Sequence, residues 1–377
     1  MPTPTKRASE LRSRMLAWFA REQRPLPWRA TRDPYAIWIS EAMLQQTRVE
    51  TVVEYWHRFL KRFPSARELA RAREDEVLAM WSGLGYYRRA RALHAAAKVI
   101  VAEHGGEFPR DGDAVRELPG VGPYTAGAVL SIAFDAPEAL VDGNVVRVLS
   151  RWFAHDDDYD ATTKWAWEVA RELVPRGGGS GAWNQALMEL GATVCTPREP
   201  ACPSCPVAAL CEALELGLQG ELPRARKRPQ SVEVELETLV VARGKSLLME
   251  RRPATGRMAN MWQFPTREVA ATNGELAGLF EARFTGAGGL RRAGSAGDRL
   301  GEIRHTITNH RIRVGIHAGR VARRSIAAPF AWIDRERLPE LALTGMARKI
   351  LRAGFADPAL AAPAAQAARA KLRSRRE

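Results

Sequence analysis

Two acidic residues occupy surroundings in which a carboxyl group could do chemistry. Glu41 lies in AIWISEAMLQQT, a segment that is apolar on nearly every side, so burial should raise its pKa and make it a candidate general acid. Asp142 follows the apolar residues 139–141 and precedes Gly143. Two such carboxyl groups suit cleavage of a glycosidic bond, because one protonates the leaving group and the other stabilises cationic charge on the sugar.

Each acid also has an ordinary structural interpretation. Glu41 could lie on a narrow polar stripe or pair with an arginine, since ion pairs also bury acids. Asp142 could simply cap the helix that begins near Val145. The sequence around the two residues leaves these alternatives open.

A glycine-rich turn, LPGVGP at residues 118–123, precedes Asp142. Gly120 and Gly122 allow a tight backbone path, and Pro123 suits the first position of the apolar helix that follows. Free amides at the start of that helix would attract an anion such as a nucleic-acid phosphate, although an ordinary turn between helices fits the same letters. Two acids beside a phosphate-binding turn are what an N-glycosylase acting on DNA requires.

The composition favours a polyanionic partner. Among 377 residues there are 57 Lys and Arg against 43 Asp and Glu, which gives a formal charge of +14 and an isoelectric point near 10.2. The basic start, MPTPTKRASELRSRM, is not followed by an apolar region, and no stretch is long enough to span a membrane. We therefore expect a cytoplasmic protein without a membrane partner.

The cysteines are confined to one short segment with the spacing C-x6-C-x2-C-x5-C: Cys195, Cys202, Cys205 and Cys211. This clustering does not fit a dispersed disulfide framework and indicates a single metal site. Four thiolates can hold either tetrahedral zinc or a cubane iron–sulfur cluster, and ligand rules alone do not decide between them.

The elements that must position these residues are of two kinds. Helical periodicity extends to about residue 194, and alternating strand patterns begin at Val232 and recur at 246–249 and 302–316. Residues 10–30 are predicted as a helix followed by a Pro-rich turn at 25–29. Further helical segments are predicted at 35–46, 49–63, 74–81, 86–104, 124–134, 144–154, 162–174 and 182–194. The resulting organisation is an all-α domain over 1–217 that includes the cysteine loop 195–211, a basic linker 218–230, a small α/β domain 231–355 and a disordered tail 356–377.

The motifs resemble the helix-hairpin-helix DNA glycosylase superfamily. The resemblance is carried by LPGVGPYTAG followed by VDGN at 141–144, by LPWR at 26–29, by DPYAIWISEAMLQQT at 33–47 and by LGYYRRARALH at 84–94. It is strong from about Leu11 to Cys211 and weak beyond. The cysteine spacing is similar to that of the iron–sulfur branch, which implies one [4Fe-4S] cluster, a helix-hairpin-helix fold, double-stranded DNA as partner and a monomer.

The resemblance also implies a reaction and roles for individual residues. The reaction is removal, in base excision repair, of adenine mispaired with 8-oxoguanine or guanine. Glu41 would protonate N7 of the flipped adenine and later activate water, while Asp142 would stabilise the oxocarbenium-like sugar or its covalent adduct. The other implied positions are Tyr124 and Asn144, holding the carboxylate and the sugar; Gln46 and Tyr86, wedged into the duplex; and Arg29 and Gln185, lining the adenine pocket. Members with lyase activity have a lysine where this chain has Tyr124, so a monofunctional glycosylase is expected.

The second domain resembles a Nudix-like module that reads 8-oxoguanine. WQFP at 262–265 fits the signature at the end of a strand, but no acidic REUXEE-type helix is found between 268 and 300, so recognition without hydrolysis is expected. Residues 305–310, HTITNH, occupy the place of the family's Phe-Ser-His loop. Thr308 and Asn309 still offer a hydroxyl and an amide to the lesion, although the aromatic member is missing.

Two other functions remain open from the sequence. The chain could be a related glycosylase for mispaired thymine or oxidised pyrimidine. It could instead be a non-catalytic sensor of mispaired DNA that uses an iron–sulfur cluster structurally or for redox chemistry. The Gln45-Gln46 pair and the second domain argue against the first, and the paired acids Glu41 and Asp142 argue against the second.

Overall fold

The computed structural model describes residues 4–226, 230–272, 277–280, 290–293, 299–321 and 326–356. Within them the chain forms two compact units. The first contains residues up to Ala72 and from Arg89 to the linker, and the second contains Arg73–Arg88 together with the described residues from 230 onward. Residues 227–229 of the predicted linker and the predicted tail beyond Ala356 lie outside the described residues.

The first unit is helical. Apart from α5, which belongs to the second unit, its helices follow one another in the order α1 Pro4–Glu22, α2 Pro34–Leu44, α3 Val49–Arg62, α4 Ala66–Arg71, α5 Glu74–Trp81, α6 Arg88–Glu103, α7 Gly112–Glu117, α8 Pro123–Phe134, α9 Gly143–Trp152, α10 Tyr159–Leu173, α11 Ser180–Thr193 and α12 Glu212–Glu215. Short 3-10 turns occur at Pro27–Arg29, Cys202–Ser204 and Ala208–Leu210.

The two apolar helices α2 and α8 form the centre of this unit. Asp33 caps α2 by accepting hydrogen bonds from Tyr35 N at 3.0 Å and Ala36 N at 3.3 Å, and Pro34 occupies the first helical turn. Every residue of α2 from Tyr35 to Met43 is buried, as is every residue of α8 from Thr125 to Ile132. Because no face of α2 meets solvent, its single carboxyl group at Glu41 has to be buried as well.

Helices α7 and α8 form a helix-turn-helix hairpin. The sequence patterns did not predict α7, because its six residues are too few to display a helical period. Asp111 nevertheless caps it in the usual way, accepting from Asp113 N and Ala114 N. Two helices joined by a short turn agree with the hairpin fold that the sequence predicted.

The described part of the second unit contains one mixed and one antiparallel β-sheet, together with helix α13. One sheet has the order β5-β1-β8-β6 with β7 also paired to β8, and the other has the order β2-β3-β4 with β9 paired to β3. The strands are β1 Val232–Val240, β2 Ala242–Arg243, β3 Ser246–Arg251, β4 Trp262–Gln263, β5 Thr266–Ala271, β6 Arg291–Arg292, β7 Arg299–Ile307, β8 His310–Arg320 and β9 Phe330–Asp334, followed by a 3-10 segment Arg335–Glu340 and helix α13 Gly345–Arg352.

The segment predicted as one alternating strand at 302–316 is a hairpin. Strands β7 and β8 pair antiparallel, with Ile307 opposite His310, and Thr308 turns the chain with a φ of 55°. The two-residue turn places Ile307 and His310 on the same face, so the less exposed positions are odd-numbered from 301 to 307 in β7, whereas the buried positions of β8 are even-numbered. β8 also pairs in parallel with β1, and the inward residues of these strands pack on α13: Val234, Leu236, Val314 and Ile316 contribute to that core.

Helix α5 packs within the second unit although it comes from the helical half of the sequence. Asp75 forms an ion pair with Arg251 at 2.9 Å, and Glu74 accepts a hydrogen bond from Asn260 at 3.2 Å. The buried hydroxyl of Tyr87 donates to the carbonyl oxygen of Leu343 at 3.2 Å. No helix among the described residues is long and apolar enough to cross a membrane.

Candidate active site

Both sequence-selected acids line one cavity of about 520 Å³ in the first unit. It lies between the 3-10 turn Pro27–Arg29, the middle and end of α2, the turn after α2, the starts of α8 and α9, and the middle and end of α11. Its wall includes most of the polar residues that the sequence singled out: Arg29, Glu41, Gln46, Tyr124, Asp142, Asn144 and Gln185. Residues that sequence reasoning missed complete the wall, among them Arg24, Trp28, Ser40, Met188 and Glu189.

Glu41 keeps a large protonated fraction near pH 7 because it is buried. Its side chain is 4% exposed, and the hydroxyl of Tyr124 donates to Oε2 at 2.7 Å. Burial raises the pKa of Glu41 to about 7, and the negative charge of Asp142 adds to that effect, while the Tyr124 hydrogen bond and the charge of Arg29 oppose it. A carboxyl group with this pKa can both donate and accept a proton near pH 7.

Asp142 is both a helix cap and a wall of the cavity, so its two interpretations do not exclude each other. Oδ1 accepts from Val145 N at 2.7 Å at the start of α9, and Oδ2 accepts from Nδ2 of Asn144 at 3.0 Å. Burial raises the pKa of Asp142, but these N–H donors stabilise the carboxylate and oppose the shift. These hydrogen bonds favour the carboxylate form of Asp142, which is the form that could stabilise a cationic sugar.

Asn144 is fixed by a buried arginine on the same helix. Arg147 donates to Oδ1 of Asn144 at 2.8 Å and to the carbonyl oxygens of Gly191 at 2.7 Å and Cys195 at 2.8 Å. The close approach of α9 and α11 depends on Gly191, because a Cβ at that position would lie 2.6 Å from Cβ of Asn144. The orientation of the amide beside Asp142 is thus determined by the packing of these two helices.

Glu189 and Arg29 both line the cavity and form an ion pair at 2.7 Å. Burial alone would raise its pKa, but hydrogen bonds from Arg24 and Arg29 hold the pKa of Glu189 at about 2. Glu189 follows Gln185 by one helical turn on α11, and this spacing is the sequence signal that could have identified it. The cavity therefore contains one ion-paired carboxylate beside the neutral Glu41.

The two residues expected to enter the duplex belong to different units. Gln46 lines the cavity in the first unit with a φ of 57°, and Arg89 holds the end of α2 before it by donating to the carbonyl oxygens of Ala42 and Gln45. Tyr86 belongs to the second unit, has a φ of 47° and is 54% exposed. Left-handed backbone at non-glycine residues is uncommon and is often found at functional sites.

The hairpin turn leaves the start of α8 open. Gly120 has a φ of 76°, and a Cβ there would lie 2.4 Å from Cβ of Ala92, so glycine is required on both counts. Gly122 has an ordinary φ of −91°, but nothing lies within 4 Å of its Cβ position. Among the described residues no side chain caps this helix, so its first amides have no side-chain acceptor.

The four cysteines line a small cavity beside α9. Arg151 is 1% exposed and donates to Sγ of Cys195 at 3.3 Å, and the thiol of Cys211 donates to the carbonyl oxygen of Arg151 at 3.4 Å. Burial and the neighbouring cysteines raise the pKa of Cys205 to about 12, which means that a cation is needed to keep four thiolates together. Within the described ranges no group of three or more His, Cys, Asp or Glu side chains is arranged to hold a metal ion.

Thr308 and Asn309 form the tip of the β7–β8 hairpin in the second unit. The amide nitrogen of Asn309 donates to the carbonyl oxygen of Gln230 at 2.9 Å, and Val232 N donates to the carbonyl oxygen of Asn309 at 3.0 Å. Part of the Asn309 side chain is therefore already engaged in holding the tip. No such contact is recorded for the hydroxyl of Thr308 in the described part of this unit.

The arrangement as a whole can perform acid-assisted cleavage of a glycosidic bond. Glu41 supplies a proton at neutral pH, and Asp142 supplies negative charge on the same cavity. The nearby Tyr124 is a phenol, and burial and the charge of Glu41 raise its pKa well above the usual value, so it remains a neutral hydrogen-bond donor. No amine nucleophile lines this cavity among the described residues.

Comparison with known proteins agrees with this chemistry. Residues 39–172 match the HhH-GPD superfamily of base excision DNA repair proteins, and residues 238–353 match the NUDIX domain. The chain is 35% identical to the adenine DNA glycosylase of Mus musculus over 401 aligned residues, which cover 90% of this chain and 77% of the relative.

Solved structures resemble the helical half. A thermostable thymine-DNA glycosylase is 34% identical, with a TM-score of 0.52 over 56% of this chain and 98% of that one. An endonuclease III bound non-covalently to DNA shares the fold at 24% identity, with a TM-score of 0.50 over 58% of this chain and 100% of that one. The matches confirm the family predicted from the motifs: the chain belongs to the adenine DNA glycosylase (MutY) family within the HhH-GPD superfamily.

Proposed function

We propose that the protein is a monofunctional DNA glycosylase that removes adenine mispaired with 8-oxoguanine or guanine, as a step of base excision repair. The observation that carries the proposal is the pair of acids on one cavity, with Glu41 neutral near pH 7 and Asp142 stabilised as a carboxylate. Membership in the adenine DNA glycosylase family supports adenine as the base.

In the proposed reaction the bond between C1′ of the deoxyribose and N9 of adenine breaks. Glu41 protonates N7, so the bonding electron pair leaves with a base that is no longer anionic. Asp142 stabilises the cationic sugar or forms an adduct with it, while Asn144 holds the Asp142 carboxylate in place. The Glu41 carboxylate then takes a proton from the water that attacks C1′.

The cavity volume of about 520 Å³ is sufficient for a flipped adenine. Arg29 and Gln185 on its wall would contact the base, and Glu189 fixes Arg29 through their ion pair at 2.7 Å. Gln46 and Tyr86 would fill the space that the flipped nucleotide leaves in the duplex. The open amides at the start of α8, beside Gly120 and Gly122, would bind a DNA phosphate.

We expect no lyase activity because the residue at the start of α8 is Tyr124. A phenol cannot form a Schiff base, and Tyr124 occupies the place where lyase members have lysine. The product should therefore be an intact strand with an abasic site.

The cysteines would hold one [4Fe-4S] cluster, whose contribution when bound is to fix the loop 195–211. Four thiols around one cavity fit this group, and Arg151 would donate a hydrogen bond to the Cys195 ligand. Arg147 ties the backbone of the same loop to Asn144 in the active site.

The second unit would recognise the base opposite adenine. We assign catalysis to residues 1–217 and lesion recognition to 231–355, with Thr308 and Asn309 as the candidate contacts to 8-oxoguanine. Thr308 offers its hydroxyl, and Asn309 offers its remaining acceptor oxygen, since its amide nitrogen donates to Gln230. The protein would act as a monomer in the cytoplasm, on chromosomal DNA.

The test is to identify the released base from duplexes with adenine opposite 8-oxoguanine, guanine or cytosine, and with thymine opposite guanine. We expect adenine from the first two duplexes, strand breaks only after alkali, and no trapping of protein on DNA by borohydride. Release of thymine instead would favour the second candidate function, a thymine glycosylase. The observation behind this candidate is the 34% identity to a thymine-DNA glycosylase. Efficient trapping would contradict the monofunctional assignment.

A further inference from the structure

A second cavity of the first unit is lined by arginines. It has a volume of about 240 Å³ and shares no lining residue with the cavity that contains Glu41 and Asp142. Its wall consists of Arg116, Pro123, Pro137, Glu138, Ala139, Trp167, Arg171 and Arg176. Three cations against one acid make this cavity a candidate anion site.

The charges of the cavity do not cancel. Arg116 is paired with Glu138 at 2.8 Å and with Asp113 at 3.2 Å, so that arginine has its counter-ions. Arg171 and Arg176 have no carboxylate within ion-pair distance in the part of the chain that the structure describes, and each is exposed. The cavity therefore presents two guanidinium groups without counter-ions.

An aromatic ring restricts one of these groups. The guanidinium of Arg171 lies over the ring of Trp167, 5.5 Å from its centroid, on the last turns of α10. Stacking leaves the edge of a guanidinium, with its N–H donors, free to form hydrogen bonds. Less side-chain entropy is then lost when an anion binds to Arg171.

The cavity adjoins the DNA-binding hairpin. Arg116 lies on α7 and Pro123 is the first residue of α8, so both helices of the hairpin contribute to the wall. Pro123 directly follows Gly122, where the open amides lie. An anion in the arginine-lined cavity would therefore be a neighbour of a phosphate held by those amides, as expected of two phosphates along one DNA strand.

We propose that the cavity binds one further backbone phosphate of duplex DNA through Arg171 and Arg176, extending the contact of the hairpin along the strand. The proposal rests on the proposed function only in taking duplex DNA as the ligand. Paired N–H donors of arginine match the geometry of phosphate oxygens, and the contact would be independent of base sequence.

The first test measures affinity as a function of salt. Arg171→Gln, Arg176→Gln and the double variant are compared with the wild type and with Arg14→Gln, an exposed arginine already paired with Glu10. We expect the double variant to bind a duplex about tenfold more weakly at low salt and to lower the slope of log K against log salt by roughly 1. Binding and slope equal to those of Arg14→Gln would overturn the proposal.

The second test locates the phosphate. Duplexes are prepared in which one phosphate at a time is replaced by a neutral methylphosphonate, and the loss of affinity is measured at each position. We expect one position at which the wild type loses affinity and the double variant does not. If the two proteins lose affinity at the same positions and to the same extent, the arginines bind no phosphate.

The two proposals can fail separately. Weaker binding by the double variant together with no adenine release by the wild type would leave the arginine site intact and refute the glycosylase. Adenine release by the wild type with unchanged binding by the variants would refute only the arginine site.

Discussion

At the scale of single residues, the proposed acid catalysis depends on the protonation state of Glu41. The carboxyl group of Glu41 is 4% exposed and holds its proton up to about pH 7, whereas Glu189 on the same cavity is ionised above pH 2 because two arginines bind it. Two carboxyl groups of the same chemistry thus have different charges at neutral pH. The difference follows from their partners, Tyr124 for Glu41 and Arg24 and Arg29 for Glu189.

The rate of base release should reflect this proton. Because only protonated Glu41 can act as the acid, we expect the single-turnover rate to fall as the pH rises through about 7. In Tyr124→Phe the hydrogen bond that favours the ionised form is lost, so the midpoint should move to higher pH. The pH–rate profile of the two proteins measures this shift, and a midpoint that stays or moves down would be inconsistent with the assignment.

The same proton links stability to pH. The folded-state pKa of Glu41 is about 7 against an ordinary 4.5, so the folded protein loses stability as the pH rises between these values. Relative to Glu41→Gln, which cannot ionise, the free energy of unfolding of the wild type should fall by roughly 3 kcal/mol between pH 4.5 and pH 8. Chemical denaturation at several pH values measures the difference.

Glu189→Gln is the matched control for this prediction. Its pKa of about 2 means that Glu189 is ionised throughout this range, so the difference between that variant and the wild type should not change with pH between 5 and 8. A pH-independent difference for Glu41→Gln as well would mean that Glu41 is ionised when buried.

At the scale of elements, the end of a helix positions a catalytic candidate. Asp142 caps α9. Its carboxylate accepts a hydrogen bond from Val145 N, so the residue that faces the cavity also stabilises the helix. We expect Asp142→Ala to lower the free energy of unfolding by about 1 kcal/mol, and Asp142→Asn to leave it nearly unchanged, since asparagine caps equally well. Both variants should lose base release. Equal destabilisation by the two changes would show that the charge itself is structural.

The long elements could be predicted from sequence and the short ones could not. Helices α2 and α8 are recognisable because they are continuously apolar, whereas α4 and α7 have six residues each and show no period. The ion pairs of Glu189 could not be predicted for another reason: its partners Arg24 and Arg29 are 165 and 160 residues away in the chain. Contacts of that range depend on the packing of α1 and α11.

At the scale of the whole molecule, the boundary between units does not follow the order of the sequence. Residues 73–88 belong to the second unit, and no composition change in the helical half indicates this. Their assignment depends on tertiary contacts such as those of Asp75 with Arg251 and of Tyr87 with Leu343. Sequence patterns describe elements, but the grouping of elements is decided by such contacts.

A fragment of residues 1–226 should therefore be locally weakened. Without residues 228–377, the buried Tyr87 hydroxyl loses its acceptor at Leu343, and α5 loses its partners. We expect amide hydrogen exchange in α5 to be at least tenfold faster in the fragment, which corresponds to about 1.4 kcal/mol. Amides of α8 serve as the internal control. Unchanged exchange in α5 would mean that the segment is stable on its own.

The central claim is that the two acids on one cavity remove adenine, and single-turnover kinetics test it most directly. The wild type and Asp142→Asn are compared on duplexes with adenine opposite 8-oxoguanine, guanine or cytosine. The account predicts fast release opposite 8-oxoguanine, slower release opposite guanine, little opposite cytosine, and near-complete loss in the variant although it binds DNA. Release by Asp142→Asn at the wild-type rate, or none from any duplex by a well-folded wild type that binds DNA, would contradict the claim.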